Sequence, residues 1–123
     1  MKARRAKFSD ARAIFELIAG YADQGLLLPR AEDEIQQNIS HFLVHEDKKR
    51  VVSCVALENY GTELAEIRSL AVDPELRGQG AGTKLLEFAL AEAHRRGIAR
   101  VFAFVYGDTL GHSFRIDAGP RAL

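Results

Sequence analysis

Apolar residues recur at three- and four-residue spacing in two segments near the start of the chain. In residues 9–24 they are Ile14, Leu17, Ile18 and Tyr21. This spacing predicts an amphipathic helix with Ser9 or Asp10 as its N-cap and Gly25 at its end. A second, shorter helix is predicted from Ala31 to about Ser40, because Ile35 and Ile39 lie one turn apart behind an acidic first turn.

The middle of the chain changes to the short, β-branched pattern of strands. The segment HFLVHEDKKRVVSCVALENY predicts a hairpin with a polar turn at residues 46–49 and a second strand at 50–57. A third strand, LAEIRSLAV at residues 64–72, follows a break at Gly61 and Thr62. If no bulge intervenes, its alternation puts Glu66, Arg68 and Leu70 on one face and Ile67, Ser69 and Ala71 on the other.

Helical spacing returns between residues 82 and 96. The apolar positions there are Leu85, Leu86, Ala89, Leu90 and Ala93, and Gly97 follows basic residues in the last turn. The next segment, ARVFAFVY, is predicted to be a buried strand beside LAEIRSLAV. Strand, helix and strand in this order form a right-handed βαβ unit, so the fold class is α/β with a mixed sheet.

Composition restricts the partners that the chain can have. Its 123 residues suit one hydrophobic core, so we treat 1–123 as a single domain. Hydrophobic residues make up 47% and charged residues 28%, as in soluble globular proteins, and no apolar run approaches a bilayer span. Seventeen basic and seventeen acidic residues cancel, so neither nucleic acid nor a membrane is expected as a partner.

Two further features bear on location and on metals. The opening MKARRAKF lacks the apolar segment of a secretory signal, so a cytoplasmic location is expected. The single cysteine, Cys54, has no second sulfur or histidine at ligand spacing, so no metal site is expected. Cys54 is interpreted as a small buried residue.

The clearest chemical signal is a loop with glycines at alternate positions, Gly78, Gly80 and Gly82, between a strand and a helix. Such a loop offers unpaired backbone N–H groups at the positive end of a helix dipole, which suits phosphate oxygens. The register excludes a P-loop, because Gly82 is followed by Thr83 and only then by lysine. It also fails the GxGxxG pattern of dinucleotide sites. The alternative is an ordinary glycine-rich connection.

The sequence RGQGAG, preceded by LAVDPEL and followed by an amphipathic helix, resembles the pyrophosphate loop of the GNAT superfamily of acyl-CoA-dependent N-acyltransferases. The resemblance covers residues 5 to about 106. It implies acetyl-CoA as cosubstrate, with the pyrophosphate on the backbone of Arg77, Gly78, Gln79, Gly80, Ala81 and Gly82 and on Thr83. It also implies that Leu70, Ala71 and Val72 pair with the pantetheine arm, on a strand that bulges near Leu70 and splays from its parallel neighbour. The Arg77 side chain either adds charge near a phosphate or is solvated.

A narrower resemblance concerns the acceptor. GLLLPR before an acidic helix, together with LAEIRSLAVDPELRGQGAG and ARVFAFVY, is similar to the short bacterial N-acetylglutamate synthases and amino-acid acetyltransferase domains. It implies that Arg30 and Arg68 bind carboxylates of a small amino acid, L-glutamate first, in arginine biosynthesis. Alternatively, Arg68 pairs with Glu66 on the same strand face, and Arg30 is a solvated residue at the start of the second helix.

The implied reaction needs a base and an acid. The acceptor amine must lose a proton before it attacks the thioester, and Glu66 lies where GNAT enzymes commonly carry that base. A backbone N–H near residues 70–72 would meet the oxyanion. Tyr106 is either the donor to the departing thiolate or a packed aromatic residue at a strand end.

The resemblance ends at Tyr106. Family members continue with a helix that covers the pantetheine, whereas this chain has GDTLGHSFRIDAGPRAL, so residues 106–123 are interpreted as divergent or truncated and lacking that helix. The alternation in HSFRIDA predicts either a final strand that pairs with residues 101–105 or a frayed tail. An open sheet edge makes a homodimer plausible. Two rivals remain: a GNAT enzyme with another amine acceptor, and a non-catalytic acyl-CoA-binding module.

Overall fold

The computed structural model describes residues 1–76, 78–105 and 112–117, with residues 104–105 and 112–117 described by their backbone alone. The described part contains three α-helices and six strands. In chain order they are β1 (Lys2–Arg5), α1 (Ala11–Ala22), α2 (Glu32–Gln37), β2 (Phe42–Asp47), β3 (Arg50–Asn59), β4 (Leu64–Val72), α3 (Ala81–Arg95), β5 (Arg100–Val105) and β6 (His112–Asp117).

The strands form one mixed sheet in the order β1-β2-β3-β4-β5-β6. Only the β4–β5 pair is parallel, and the four other pairs are antiparallel. A parallel pair needs a crossover, which α3 supplies. The α/β class, the hairpin and the βαβ unit predicted from the sequence are therefore confirmed.

Alternation along β2 and β3 divides the core into two layers. Leu43, Val55 and Leu57 are buried with Leu85 and Ala89 of α3 on one face of the sheet. The intervening residues face the other way and are buried with residues of α1 and α2; they include Phe42, Val44, Cys54 and Ala56. Cys54 is fully buried, as expected for a small core residue.

The expected bulge lies in β4 and changes the direction of the residues beyond it. Cys54 pairs with Ala71 and Ala56 pairs with Arg68, so two residues of β4, Ser69 and Leu70, lie opposite one residue of β3. Ser69 takes a φ of +57°, the left-handed region that ordinary residues rarely adopt.

This bulge reverses the simple alternation of the strand. Leu70 packs with the α3-side core, whereas Ala71 joins the α1-side core. The grouping of Leu70 with Glu66 and Arg68, which required a strand without a bulge, therefore does not apply, because the extra residue moves every later side chain to the opposite face.

The predicted splay between the two parallel strands is also present. The β4–β5 pairs run from Leu64↔Arg100 to Ile67↔Ala103, while β4 itself continues to Val72. On its other side β5 pairs with β6 over its whole length, from Arg100 to Val105, so residues 104 and 105 pair with β6 and not with β4. Within the ranges that the structure describes, the edge of β4 beyond Ile67 is thus open on the side that β5 leaves.

Several element boundaries differ from the predictions. The first helix ends at Ala22, before the turn that carries Gly25, and the second ends at Gln37, where a short 3₁₀ turn replaces its last residues. Asp10 precedes α1, but its carboxylate accepts hydrogen bonds from the Lys7 amide and from Arg4. That carboxylate therefore ties the start of the helix to β1, a strand that the pattern did not predict.

The backbone of residues 112–117 decides between the final strand and the frayed tail. They form β6, which pairs antiparallel with β5 from Arg100↔Asp117 to Val105↔His112. The frayed-tail alternative is therefore wrong for this segment.

Candidate functional site

The glycine loop leads directly from β4 into α3. Gly78 and Gly80 have φ values of +80° and +79°, which only glycine adopts without strain. Gly80 is the residue before the first turn of α3, and its carbonyl accepts the first helical bond, from the Lys84 amide. The first-turn amides before Lys84 therefore have no partner within the helix.

The start of α3 has the charge distribution of an anion site. No side chain among the described residues caps this terminus, and its first turn contains no acidic residue. Gly82 packs closely on β4, since a Cβ there would lie 3.3 Å from Cγ2 of Val72. The missing side chain thus brings the helix amides close to the open edge of β4.

A groove of about 370 Å³ lies at this junction. Its described lining residues are Tyr21, Val72, Leu76, Gly78, Gly80, Ala81, Gly82 and Thr83. The Tyr21 hydroxyl donates a 2.6 Å hydrogen bond to the Val72 carbonyl oxygen, so α1 is fixed to the end of β4. The groove therefore joins the strand edge to the helix terminus.

Arg30 lies on the opposite side of the bulge and is almost fully buried. Its Nε and Nη2 donate to the two carboxylate oxygens of Glu34 at 2.8 and 2.7 Å, and its Nη1 donates to Ser69 Oγ at 3.2 Å. The guanidinium also covers the Phe42 ring at 4.8 Å. The interpretation of Arg30 as a solvated residue is therefore wrong, because 7% of the side chain is exposed.

Glu58 connects the two arginines that the sequence singled out. One of its carboxylate oxygens lies 3.4 Å from Arg30, and the other accepts a 3.1 Å hydrogen bond from Arg68. Arg68 therefore pairs with Glu58 on the neighbouring strand, and the alternative of an ion pair with Glu66 is wrong. Because Arg68 remains 35% exposed and uses only one nitrogen in this pair, it still has donors for a ligand.

Glu66 is buried beside this cluster, with 8% exposure. Its Oε1 accepts a 2.7 Å hydrogen bond from the Tyr60 hydroxyl. Glu66 and Glu58 are direct partners across β3 and β4, so both carboxylates lie on the sheet face that also carries Arg68. This face therefore combines cationic donors with a carboxylate that can accept a proton.

Comparison of the sequence with known protein families identifies the family of this chain. The sequence pattern of the acetyltransferase (GNAT) family matches residues 10–111. The chain belongs to the GNAT family. An uncharacterized N-acetyltransferase of Chlorobaculum tepidum is 41% identical over 99 residues, which are 80% of this chain and 64% of that protein. An amino-acid acetyltransferase of Pseudomonas putida is 33% identical over 113 residues, 91% of this chain.

Two solved GNAT-like structures have the same architecture. Rv2747 of Mycobacterium tuberculosis, in complex with CoA and NLQ, has a TM-score of 0.80 at 33% identity over 86% of this chain and 65% of that one. The N-acetylglutamate synthase of Neisseria gonorrhoeae, with coenzyme A and N-acetyl-glutamate, has a TM-score of 0.81 at 32% identity over 85% of this chain and 25% of that one. This chain also spans only 26% of the length of the Pseudomonas protein.

The structure brings together most of the site residues predicted for this GNAT domain. Gly78, Gly80, Ala81, Gly82 and Thr83 border the groove, as predicted. Gln79 is described but is not one of the lining residues, and Arg77 lies outside the described residues. Tyr106 also lies outside them. Arg30, Arg68 and Glu66 occupy the neighbouring sheet face, joined through Glu58 and Tyr60, which the sequence reasoning missed. Alternation on β3 could have placed Glu58 on that face, but its contacts depend on the register with β4.

The described part of the GNAT domain was searched for groups of metal-binding side chains and for membrane-spanning helices. There, no group of three or more histidine, cysteine or acidic side chains is arranged to hold a metal ion. None of the helices in the same ranges is both long and apolar enough to cross a membrane.

Proposed function

We propose that this GNAT domain transfers the acetyl group of acetyl-CoA to the amino group of a carboxylate-bearing amino acid, with L-glutamate as the favoured acceptor. The observation that supports this most is the meeting of an uncapped helix terminus, an open strand edge and a carboxylate–arginine cluster around one bulge. The complex of the Neisseria gonorrhoeae N-acetylglutamate synthase with coenzyme A and N-acetyl-glutamate supports the same substrates. A place in arginine biosynthesis, a cytoplasmic location and a homodimer go with this proposal.

On the cosubstrate side, the proposal assigns the diphosphate to the backbone of Gly78, Gly80 and the first turn of α3. Unpaired amides at a helix N-terminus suit phosphate oxygens, and acidic residues that would repel them are absent from this first turn. The open edge of residues 70–72 suits the amide groups of a pantetheine arm, because an unpaired strand edge offers both donors and acceptors. We also assign Gln79 and Arg77 to this loop.

On the acceptor side, the two arginines differ in availability. Arg68 retains unused donors and partial exposure, so we propose that it binds a carboxylate of the acceptor directly. Arg30 already forms a bidentate pair with Glu34. A substrate carboxylate can take the bidentate Nε–Nη2 edge of Arg30 only by replacing Glu34, which is 41% exposed and can move into solvent.

For the chemistry, we propose that Glu66 removes the proton from the acceptor's ammonium group. The freed amine then attacks the acyl carbon of the thioester that acetyl-CoA supplies. The nitrogen gives up a second proton, the C–S bond breaks, and the thiolate takes up one proton, so that an amide and the free thiol result. A backbone amide within residues 70–72 is assigned to the developing oxyanion, because fixed donors stabilise such charge without reorganising. Tyr106 is the proposed donor to the thiolate.

The proposal is tested by identifying the product. The purified protein is incubated with acetyl-CoA and, separately, with L-glutamate, L-glutamine or a polyamine that lacks a carboxylate, and products are measured by mass spectrometry. We expect N-acetyl-glutamate, and at least a tenfold smaller yield from the polyamine, since one lost charge-assisted contact costs about 1.5–3 kcal/mol.

Two variants test whether Arg68 is responsible for the preference for a carboxylate-bearing acceptor. Arg68→Ala should lower the yield from L-glutamate, whereas Arg100→Ala, which removes an exposed arginine at the first residue of β5, should leave it unchanged. Acetylation of the polyamine in preference to both amino acids would refute the proposed acceptor class.

A further inference from the structure

Tyr60 fixes the turn that carries Glu66 into the sheet, although no sequence motif marks it. It follows the last residue of β3, and its amide donates a 2.7 Å hydrogen bond to the Leu64 carbonyl oxygen at the start of β4. Its ring stacks on Phe102, with 6.2 Å between ring centroids and 25° between planes. Phe102 is itself the β5 residue paired with Glu66. Backbone and ring therefore hold the Tyr60 hydroxyl over Glu66.

The hydroxyl makes the two oxygens of Glu66 unequal. Oε1 accepts the 2.7 Å hydrogen bond from Tyr60, and no donor within the described ranges contacts Oε2. A carboxylate held by one oxygen loses rotational freedom and keeps the other oxygen available to accept a proton. The pair thus has the geometry of an oriented base.

The tyrosine remains a donor at neutral pH. Its hydrogen bond to the Glu66 carboxylate, with further contributions from burial and from nearby Glu58, raises the pKa of Tyr60 above its ordinary value. The phenol therefore keeps its proton and remains a donor to Oε1 of Glu66.

We propose that Tyr60 is a positioning residue for Glu66: it holds Oε1 so that Oε2 receives the proton of the acceptor's ammonium group. In this step an N–H bond breaks, an O–H bond forms at Oε2, and the electron pair stays on nitrogen for the attack. Tyr60 gains and loses no proton. The inference rests on the proposed function, because it takes Glu66 as the base.

The kinetic test is the pH dependence of kcat/KM for acetyl transfer to L-glutamate, compared between the wild type and Tyr60→Phe. Phenylalanine keeps the ring stacking but removes the donor to Oε1, so the acidic limb of the profile should move to higher pH by about one unit. In a Glu66→Gln background, Tyr60→Phe should cause no further loss of kcat, since residues acting through one contact are not additive.

A second readout needs no turnover. The tyrosinate absorbance of Tyr60 is titrated in the wild type and in Glu66→Gln, with Tyr60→Phe used to subtract the two other tyrosines. We expect the pKa of Tyr60 to fall in Glu66→Gln, because the neighbouring negative charge is gone.

The outcomes distinguish a failure of the positioning role of Tyr60 from a failure of Glu66 as the proposed base. A pKa of Tyr60 that is the same in both proteins would overturn the contact and the inference with it. If this pKa falls but the acidic limb stays in place, the positioning role is wrong. Retained turnover in Glu66→Gln then identifies the failure as that of the proposed base, whereas lost turnover leaves Glu66 as the base and assigns Tyr60 to structure alone.

Discussion

Replacing Glu92 with glutamine should weaken the attachment of α3 to the sheet. The Glu92 side chain is 7% exposed, and its carboxylate accepts hydrogen bonds from Arg95 in the last turn of α3, from Arg96 directly after the helix and from Arg5 of β1. Because α3 begins at the glycine loop, its attachment bears on how firmly that loop is presented. Glutamine keeps the size of the side chain and removes its charge.

The size of the effect follows from the ionisation of Glu92. Hydrogen bonds from Arg95 and then Arg96, working against burial, lower the pKa of Glu92 from 4.5 to about 2. At about 1.4 kcal/mol per pH unit this corresponds to roughly 3 kcal/mol. Arg5 and Arg95 are 63% and 59% exposed, so solvent weakens their attraction, and we expect about 2 kcal/mol.

The same pKa fixes the dependence on pH. The pKa is lower in the folded than in the unfolded chain, so the stabilisation is complete above pH 4.5 and is lost as the pH falls towards 2. Glu92→Gln should thus lower the free energy of unfolding by about 2 kcal/mol at pH 7 and by less than half of that near pH 3.

Urea unfolding at both pH values measures this difference. Glu16→Gln is the matched control, because Glu16 is 64% exposed and pairs only loosely with Arg12, at 3.7 Å; its change should stay below about 0.5 kcal/mol. Equal stability of Glu92→Gln and the wild type at pH 7, or a difference that does not shrink with acid, would refute the reasoning.

Three further predictions concern the site. Gly80→Ala, at a φ of +79°, should lose about 1–2 kcal/mol of stability and bind acetyl-CoA more weakly by calorimetry. The control Gly20→Ala, in a helix with open space around it, should cause neither loss. Unchanged binding in Gly80→Ala would contradict the loop assignment. Glu58→Gln should raise the KM for L-glutamate while the KM for acetyl-CoA stays constant, since Glu58 holds Arg68; equal changes in both would argue against an acceptor role. Cys54, whose burial raises its pKa to about 12, should react with a thiol reagent only after unfolding; rapid labelling of the native protein would contradict its burial.

Local patterns were sufficient for the parts of the fold in which one face of an element is buried. The alternation of LAEIRSLAV predicted β4 with its observed bounds, and the spacing of apolar residues predicted α3 to within one residue at each end. The strand β1 was not predicted because KARR has no apolar alternation. It is held instead by backbone pairing with β2 and by ion pairs of Arg4 and Arg5 with residues elsewhere in the chain.

The site was predictable in its parts and not in its connections. The glycine spacing predicted the loop, and the motif GLLLPR singled out Arg30 as a candidate acceptor residue. The pairing of Arg30 with Glu34 is a local i,i+4 contact that the sequence already contains. The bridge through Glu58 and the contact of Tyr60 with Glu66 depend on the register between β3 and β4 and on the turn that joins them, which no local pattern fixes.

The most direct test of the central claim is one titration of acetyl-CoA into the protein, with and without L-glutamate, that follows heat of binding and release of free thiol together. The account predicts binding in both cases, thiol release only with L-glutamate, and loss of that release in Glu66→Gln with binding retained. Binding without thiol release would contradict the proposed transfer, and the absence of binding would contradict the assignment of the glycine loop as well.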